Sequence, residues 1–251
     1  MDKNGNRIAI GLDVSTQTIG VCVLLEDDSD NGKIIELTHV SPKASKKLDS
    51  IEQLFIKKRA FGKFIEKYKE LGVDDVIIEE PLLRSNNINT CGTLLRFNGM
   101  ISDCIYETLG VVPKYISSYD ARKYAFPELM SVRKYGKDGN VYPNDKIRKE
   151  IMHGKMVLFG SYDWSVDKKT VLQDKVSKIF PEIQWIYGKD GELKKENFDA
   201  SDSYVACLGY LNMKNYGVMN FKVSNRKESN GKIDYDLEYW GRKEHRQTRL
   251  T

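Results

Sequence analysis

The stretch from Ile8 to Leu25, IAIGLDVSTQTIGVCVLL, constrains this chain more than any other. It reads as two apolar strands joined by a short polar turn. Ile8 through Leu12 is a nearly continuous apolar run, as a buried strand requires. Asp13 breaks the run, Ser15 to Thr18 make the turn, and Gly20 to Leu25 is apolar again. A carboxylate at the end of a buried strand is costly unless it is hydrogen-bonded, paired or bound to a metal. Asp13 is therefore the first candidate for chemistry. An aspartate that only opens a turn is the ordinary alternative.

The pattern continues as an α/β chain. Lys33 to Val40 predicts a third strand, making an antiparallel meander with the first two. Ser50 to Leu71 carries apolar residues at helical spacing, and Gly72 is a stop signal. DDVIIEEPL predicts a short buried strand ending in Glu79 and Glu80, because Pro81 cannot extend a ladder. Thr90 to Leu109 predicts a long helix that is apolar over more than one stripe. A strand over Val111 to Ser117 and a short helix over Asp120 to Phe126 follow. From Arg133 to Ser165 the periodicity dissolves, and loops or an inserted subdomain are expected. Helical spacing returns at Asp167 to Phe180 and at Phe198 to Asn212. A small hairpin is expected around Lys189 to Gly191, and two edge strands within the last thirty residues. This order implies a mixed five-stranded sheet, three antiparallel strands then parallel ones, with helices on its faces.

Bulk composition narrows the partners. No apolar run approaches a membrane span, and MDKNGNR has no apolar h-region. The cysteines, Cys22, Cys91, Cys104 and Cys207, form no CxxC pair, so neither a zinc site nor a disulfide framework is expected. A reducing cytoplasm is the natural compartment. The net charge of +4 is modest, but Arg133 to Lys178 holds 11 Lys and Arg against 6 Asp and Glu. That local excess suits an anionic partner such as nucleic acid. Lys134, Lys137, Lys146, Arg148 and Lys149 in this segment, with Arg84, are the candidate DNA contacts. Tyr135, Tyr142, Tyr162 and Trp164 lie among them and would stack on splayed bases, unless they form a local core.

Carboxylates recur at element ends. Asp13 ends the first strand, Glu79 or Glu80 the fourth, and Asp199 and Asp202 open the last core helix three residues apart, on one face. Gathered at one sheet edge, they would repel and raise one another's pKa. A divalent cation with hard oxygen ligands, Mg²⁺ or Mn²⁺, relieves that repulsion. Two such ions are the apparatus of phosphodiester hydrolysis.

As a set, these segments resemble the RuvC-type Holliday-junction resolvases of the RNase H-like superfamily. IAIGLDVSTQTIGVCVL is similar to that family's opening hairpin, and VIIEEPL to its strand ending in Glu. The helix containing LLRFNGMI is similar to its dimerisation helix. DKKTVLQDKV resembles the Lys-bearing helix start, and FDASDSYVACLGYL the Asp-x-x-Asp helix. The resemblance covers roughly residues 7–125 and 166–212. It implies an RNase H-like fold in which Asp13, Glu79, Asp199 and Asp202 are catalytic metal ligands for two Mg²⁺ ions, replaceable by Mn²⁺. Lys168 or Lys169 would contact phosphate or leaving group. It further implies an endonuclease of recombination and repair acting on branched DNA as a homodimer.

On this reading residues 1–215 form the nuclease domain, with an insertion at about 133–166, and 216–251 form a C-terminal extension. The insertion and extension depart from a minimal bacterial member, and the Lys-rich, Ala-poor style resembles viral or phage proteins acting in a host cytoplasm. Three other readings compete. GLDVSTQT also resembles the phosphate loop of actin-like sugar kinases and chaperone ATPases, but no second Asp-Gly-Gly loop is present. A flap or RNA–DNA hybrid nuclease would use the same acids. A catalytically dead module would only bind DNA or a partner.

Overall fold

The computed structural model describes residues 6–27, 29, 31–81, 88–131, 140, 157–158, 168–194, 196–216, 220–229 and 232–240. Strands β1 (Arg7–Val14), β2 (Ile19–Glu26) and β3 (Lys33–Val40) form the expected antiparallel meander. Helix α1 (Ser50–Ile65) starts at a capping box in which Asp49 accepts from the Glu52 backbone and Glu52 from the Asp49 backbone. The single long helix expected to Leu71 instead tightens to 3₁₀ geometry over Glu66–Leu71. It ends where Gly72 turns left-handed at φ 66°.

Strand β4 (Asp75–Glu79) then pairs parallel to β1, and β5 (Lys114–Ile116) parallel to β4. Helix α2 (Ile88–Leu109) crosses between them, and α3 (Ser118–Ala125) follows, capped by the Ser117 hydroxyl. The five-stranded sheet has the order β3-β2-β1-β4-β5, three antiparallel strands followed by parallel ones. This is the architecture expected from the sequence.

After a short β6 (Met130–Ser131) and β7 (Val157–Leu158) pair come α4 (Lys168–Ile179) and α5 (Glu196–Tyr216). A single bridge, Tyr187 to Leu193, with Gly191 at φ 82°, forms the small hairpin predicted between them. Strands β8 (Asn220–Ser229) and β9 (Lys232–Trp240) pair with each other in a separate two-stranded sheet. Apart from Asn140 and β7, the segment 132–167 lies outside the described residues.

Each face of the central sheet has its own core. Ile8, Ile10, Leu12 and Val14 of β1 pack with Phe61 and Ile65 of α1 and Phe97, Ile101 and Ile105 of α2. On the other face Ala9, Cys22, Leu24 and Ile77 pack with Leu172 and Val176 of α4 and Tyr204, Val205 and Leu208 of α5. Period-two alternation along β1 assigns each side chain to one core or the other. Burial on both faces explains why the sequence there is a continuous apolar run.

Candidate active site

Asp13 follows Ala9 and Gly11 on the α5 face of β1. Leu12 pairs with Ile78 of the parallel β4, so Glu79, on the same face as Ile77, emerges beside Asp13. Glu80 is exposed beyond the strand, and its backbone donates to the Ile116 carbonyl at 2.8 Å. Of the two glutamates, Glu79 is thus the one on the α5 face.

Helix α5 lies against the sheet through glycine. A Cβ on Gly11 would sit 2.1 Å from the Ser203 carbonyl oxygen, and one on Gly20 would sit 1.9 Å from that of Asp199. Only hydrogen at these two positions lets the helix backbone rest on β1 and β2. Gly20 pairs with Asp13, so the contact point is adjacent to the carboxylate. The helix is pinned elsewhere too. The Asn197 side chain makes two hydrogen bonds to the Ile186 backbone, at 2.7 and 2.9 Å. At the far end Lys214 reaches Asp75 at 2.9 Å, and Arg7 pairs with the same carboxylate. Gly209 gives α3 an equally close approach, with the Ala121 carbonyl 2.3 Å from where a Cβ would stand.

The helix begins at Glu196, earlier than expected, so Asp199 lies in its first turn and Asp202 in its second. The spacing of three still puts both on one face. Asp202 is buried, with 4% of its surface exposed. Lys169 of α4 stands 3.3 Å from one of its oxygens and Arg122 of α3 stands 3.9 Å from the other.

The charges of the four carboxylates are linked through Asp13 and Asp202. Burial, then the Asp202 and Asp199 charges, pushes Asp13 up to about 7. Burial, then Asp13 and Asp202, pushes Glu79 up to about 8. Asp199 is raised by burial and by Asp202, against the opposing pull of Lys169. Burial works against charge on Lys169, but the surrounding carboxylates outweigh it and hold its ammonium above the usual value. The fold therefore collects more negative charge here than Lys169 and Arg122 neutralise.

This donor set suits a hard divalent cation, being all carboxylate oxygen and short of positive charge. Among the described residues, no three His, Cys, Asp or Glu side chains are placed so that together they could hold a metal ion. Asp202 is directed instead at Lys169 and Arg122.

The structure brings together Asp13, Glu79, Asp199, Asp202 and Lys169; Lys168 is the first residue of α4. Arg84, Lys134, Lys137, Lys146, Arg148 and Lys149 lie outside the described residues, as do Tyr135, Tyr142, Tyr162 and Trp164. Two residues enter that sequence reasoning missed. Arg122 sits in a short helix with no motif of its own, and its Nε is buried without a hydrogen-bond partner. His39 pairs with Gly20, which pairs with Asp13, and its charge acts on Asp199. Extending the hairpin register by one strand would have found it.

No family model matches the sequence, and no curated protein does. Among solved structures, the chain is similar to Thermus thermophilus RuvC, at 13% identity and a TM-score of 0.45, covering 82% of this chain and 95% of that one. It is similar to T. thermophilus RuvC in complex with a Holliday junction substrate, at 10% identity and a TM-score of 0.45, covering 84% and 96%. The yeast mitochondrial Holliday junction resolvase Ydc2 is similar at 9% identity and a TM-score of 0.44, covering 81% and 77%. No helix among the described residues is long and apolar enough to cross a membrane.

Proposed function

We propose that this chain is a divalent-metal-dependent endonuclease that resolves four-way DNA junctions by paired, symmetric nicks. The observation that carries the reading is the convergence of four carboxylate charges from β1, β4 and α5, flanked by Lys169 and Arg122. The same four residues are those that the resemblance to RuvC-type resolvases implies. Asp13, Glu79, Asp199 and Asp202 would hold two Mg²⁺ ions, with Mn²⁺ as a substitute. Bound there, the ions supply Lewis acidity and lower the pKa of water, the chemistry of two-metal phosphodiester hydrolysis.

The protein's own groups divide the remaining work. As a metal ligand, Asp202 would no longer be held by Lys169 and Arg122. Those two cations would then face the scissile phosphate and the developing charge on the leaving oxygen. Lys168, at the same helix start, is the alternative phosphate contact. Gly11 and Gly20 set the height of α5 and with it the separation of the ligands.

A four-way junction presents two symmetry-related strands, so a two-fold dimer would place one site on each. Helix α2 supports this. Its Phe97, Ile101 and Ile105 face the core, while Ile88, Leu95 and Tyr106 are exposed at 83%, 47% and 58%. Gly92 and Gly99 lie on the same stripe with open space where a Cβ would be. Leu95→Glu is expected to shift the sedimentation coefficient from dimer to monomer; an unchanged value would sink this interface.

The central test is cleavage of a labelled four-way junction with Mg²⁺, beside linear duplex, flap and RNA–DNA hybrid. Paired nicks leaving 5′-phosphates are expected, lost in both Asp13→Asn and Asp202→Asn. Cleavage of the flap or hybrid instead would keep the site and discard the substrate. Tight junction binding without cleavage in either metal would leave a binding module.

A further inference from the structure

The two acids of α5 are unequally supported. Asp202 is buried, with Lys169 and Arg122 at 3.3 and 3.9 Å from its oxygens. Asp199, three residues earlier, is half-buried, and among the described residues no hydrogen bond or ion pair holds its carboxylate. It lines a cavity of about 500 Å³ between Thr18, the start of α5 and the Tyr187–Leu193 hairpin. The carboxylate therefore has room to turn away from Asp13, and repulsion between the two charges favours that turn. Asp190, Glu192 and Glu196 line the same cavity against a single Lys194, so its walls repel a carboxylate more than they hold it.

The sheet beneath supplies the missing partner. One transverse row crosses its α5 face: His39 on β3, Gly20 on β2, Asp13 on β1 and Glu79 on β4. Gly20 pairs with His39 on one side and with Asp13 on the other. Leu37, two residues before His39, packs against the α5-face core, so alternation puts His39 on that face. Asp199 stands over the middle of the row, since a Cβ on Gly20 would sit 1.9 Å from its carbonyl oxygen.

Neighbouring strands lie about 4.8 Å apart, so Asp13 and His39 flank the Asp199 backbone on opposite sides. Gly20 has no side chain to separate them. His39 is half-buried and its charge acts on Asp199. Among the described residues its imidazole makes no hydrogen bond or ion pair. An imidazole keeps at least one N–H donor whether neutral or charged, so a carboxylate is its natural partner here.

We propose that His39 is the positioning residue for Asp199: its N–H donates to one carboxylate oxygen and turns the other toward Asp13. This rests on the nuclease reading, in which both aspartates are metal ligands. Carboxylates that ligate a metal are themselves held by hydrogen bonds, and losing such a bond typically costs about 10–100-fold in metal affinity.

The test uses the full chain with Mn²⁺ as the probe, binding being followed through the electron paramagnetic resonance of the free ion. His39→Phe keeps a ring but has no donor, whereas His39→Gln keeps a donor. His39→Phe is expected to weaken Mn²⁺ binding about 10–100-fold, and His39→Gln to recover most of that loss. Circular dichroism checks that His39→Phe folds, and His39→Ala replaces it if it does not. In a chain already carrying Asp199→Asn, His39→Phe should weaken binding no further, because the two residues act as one unit. Equal Mn²⁺ affinity in wild type and His39→Phe, or additive losses in the double variant, would overturn the assignment while wild-type cleavage keeps the nuclease reading. Nitrogen hyperfine coupling to bound Mn²⁺ that vanishes in His39→Phe would make His39 a ligand itself and overturn the positioning role. A wild-type chain that neither binds Mn²⁺ nor cuts branched DNA overturns both readings.

Discussion

The two faces of β1 are built from alternate residues of one eight-residue strand, and they do opposite things. Toward α1 and α2, Ile8, Ile10, Leu12 and Val14 fill a conventional apolar core. Toward α5, Ala9, Gly11 and Asp13 shrink and then turn polar, and the helix backbone comes down onto the strand. The first face stabilises through buried area, and the second trades side-chain volume for close approach. The lesson is that this acidic site depends on what is missing at Gly11 and Gly20 as much as on the acids themselves.

The largest effect that would break this comparison is chemical. Asp13→Asn should reduce junction cleavage on the order of 10³-fold or more while leaving the fold intact. Retained activity would remove Asp13 from the reacting centre.

Next comes the glycine joint. Gly11→Ala places a methyl against the Ser203 carbonyl, and the helix must lift. Overpacking of this kind costs about 1–3 kcal/mol. A ligand displaced by about 1 Å can cost roughly 10²-fold in rate. Denaturant melts and single-turnover cleavage should both register the change. An unaltered rate would mean that the height of α5 does not set the site.

A smaller effect separates the faces by pH. Asp13 and Glu79 have folded values of about 7 and about 8, both above the ordinary carboxylate range. Their protonated forms are therefore favoured by the fold. Their destabilising contribution is absent at low pH and grows as pH rises through those values. Melting of EDTA-treated protein should occur at higher temperature at pH 5 than at pH 8. Asp13→Asn or added Mg²⁺ should narrow the gap, and no gap would contradict the coupling of these acids.

The smallest effect lies on the apolar face. Ile10→Val should cost about 0.5–1.5 kcal/mol, as methylene deletions in cores do, and leave cleavage unchanged. A lost activity there would blur the division between the faces.

Much of this was legible in the chain because it is local. Alternation, helical spacing and stop signals set the five strands and the main helices, from Lys33–Val40 as β3 to the Asp-x-x-Asp helix. The acids were legible because a carboxylate closing an apolar strand needs an explanation in chemistry. What was not legible depends on packing between distant elements. Nothing in DARKYAF marks Arg122 as the partner of Asp202, since their approach depends on α3 seating against Gly209. The outward stripe of α2 could not be told from its core stripe until the sheet showed which side was covered.

By itself, then, the sequence determined the order of elements and the mixed sheet, and marked Asp13, Glu79 or Glu80, Asp199 and Asp202 as candidate acids, since each follows from backbone preference and local polarity. Only the tertiary structure decided that Glu79 rather than Glu80 lies beside Asp13, that Lys169 and Arg122 both face Asp202, and that α5 rests on glycine. Those outcomes depend on strand register and interatomic approach, and such distances exist only once the chain has closed on itself.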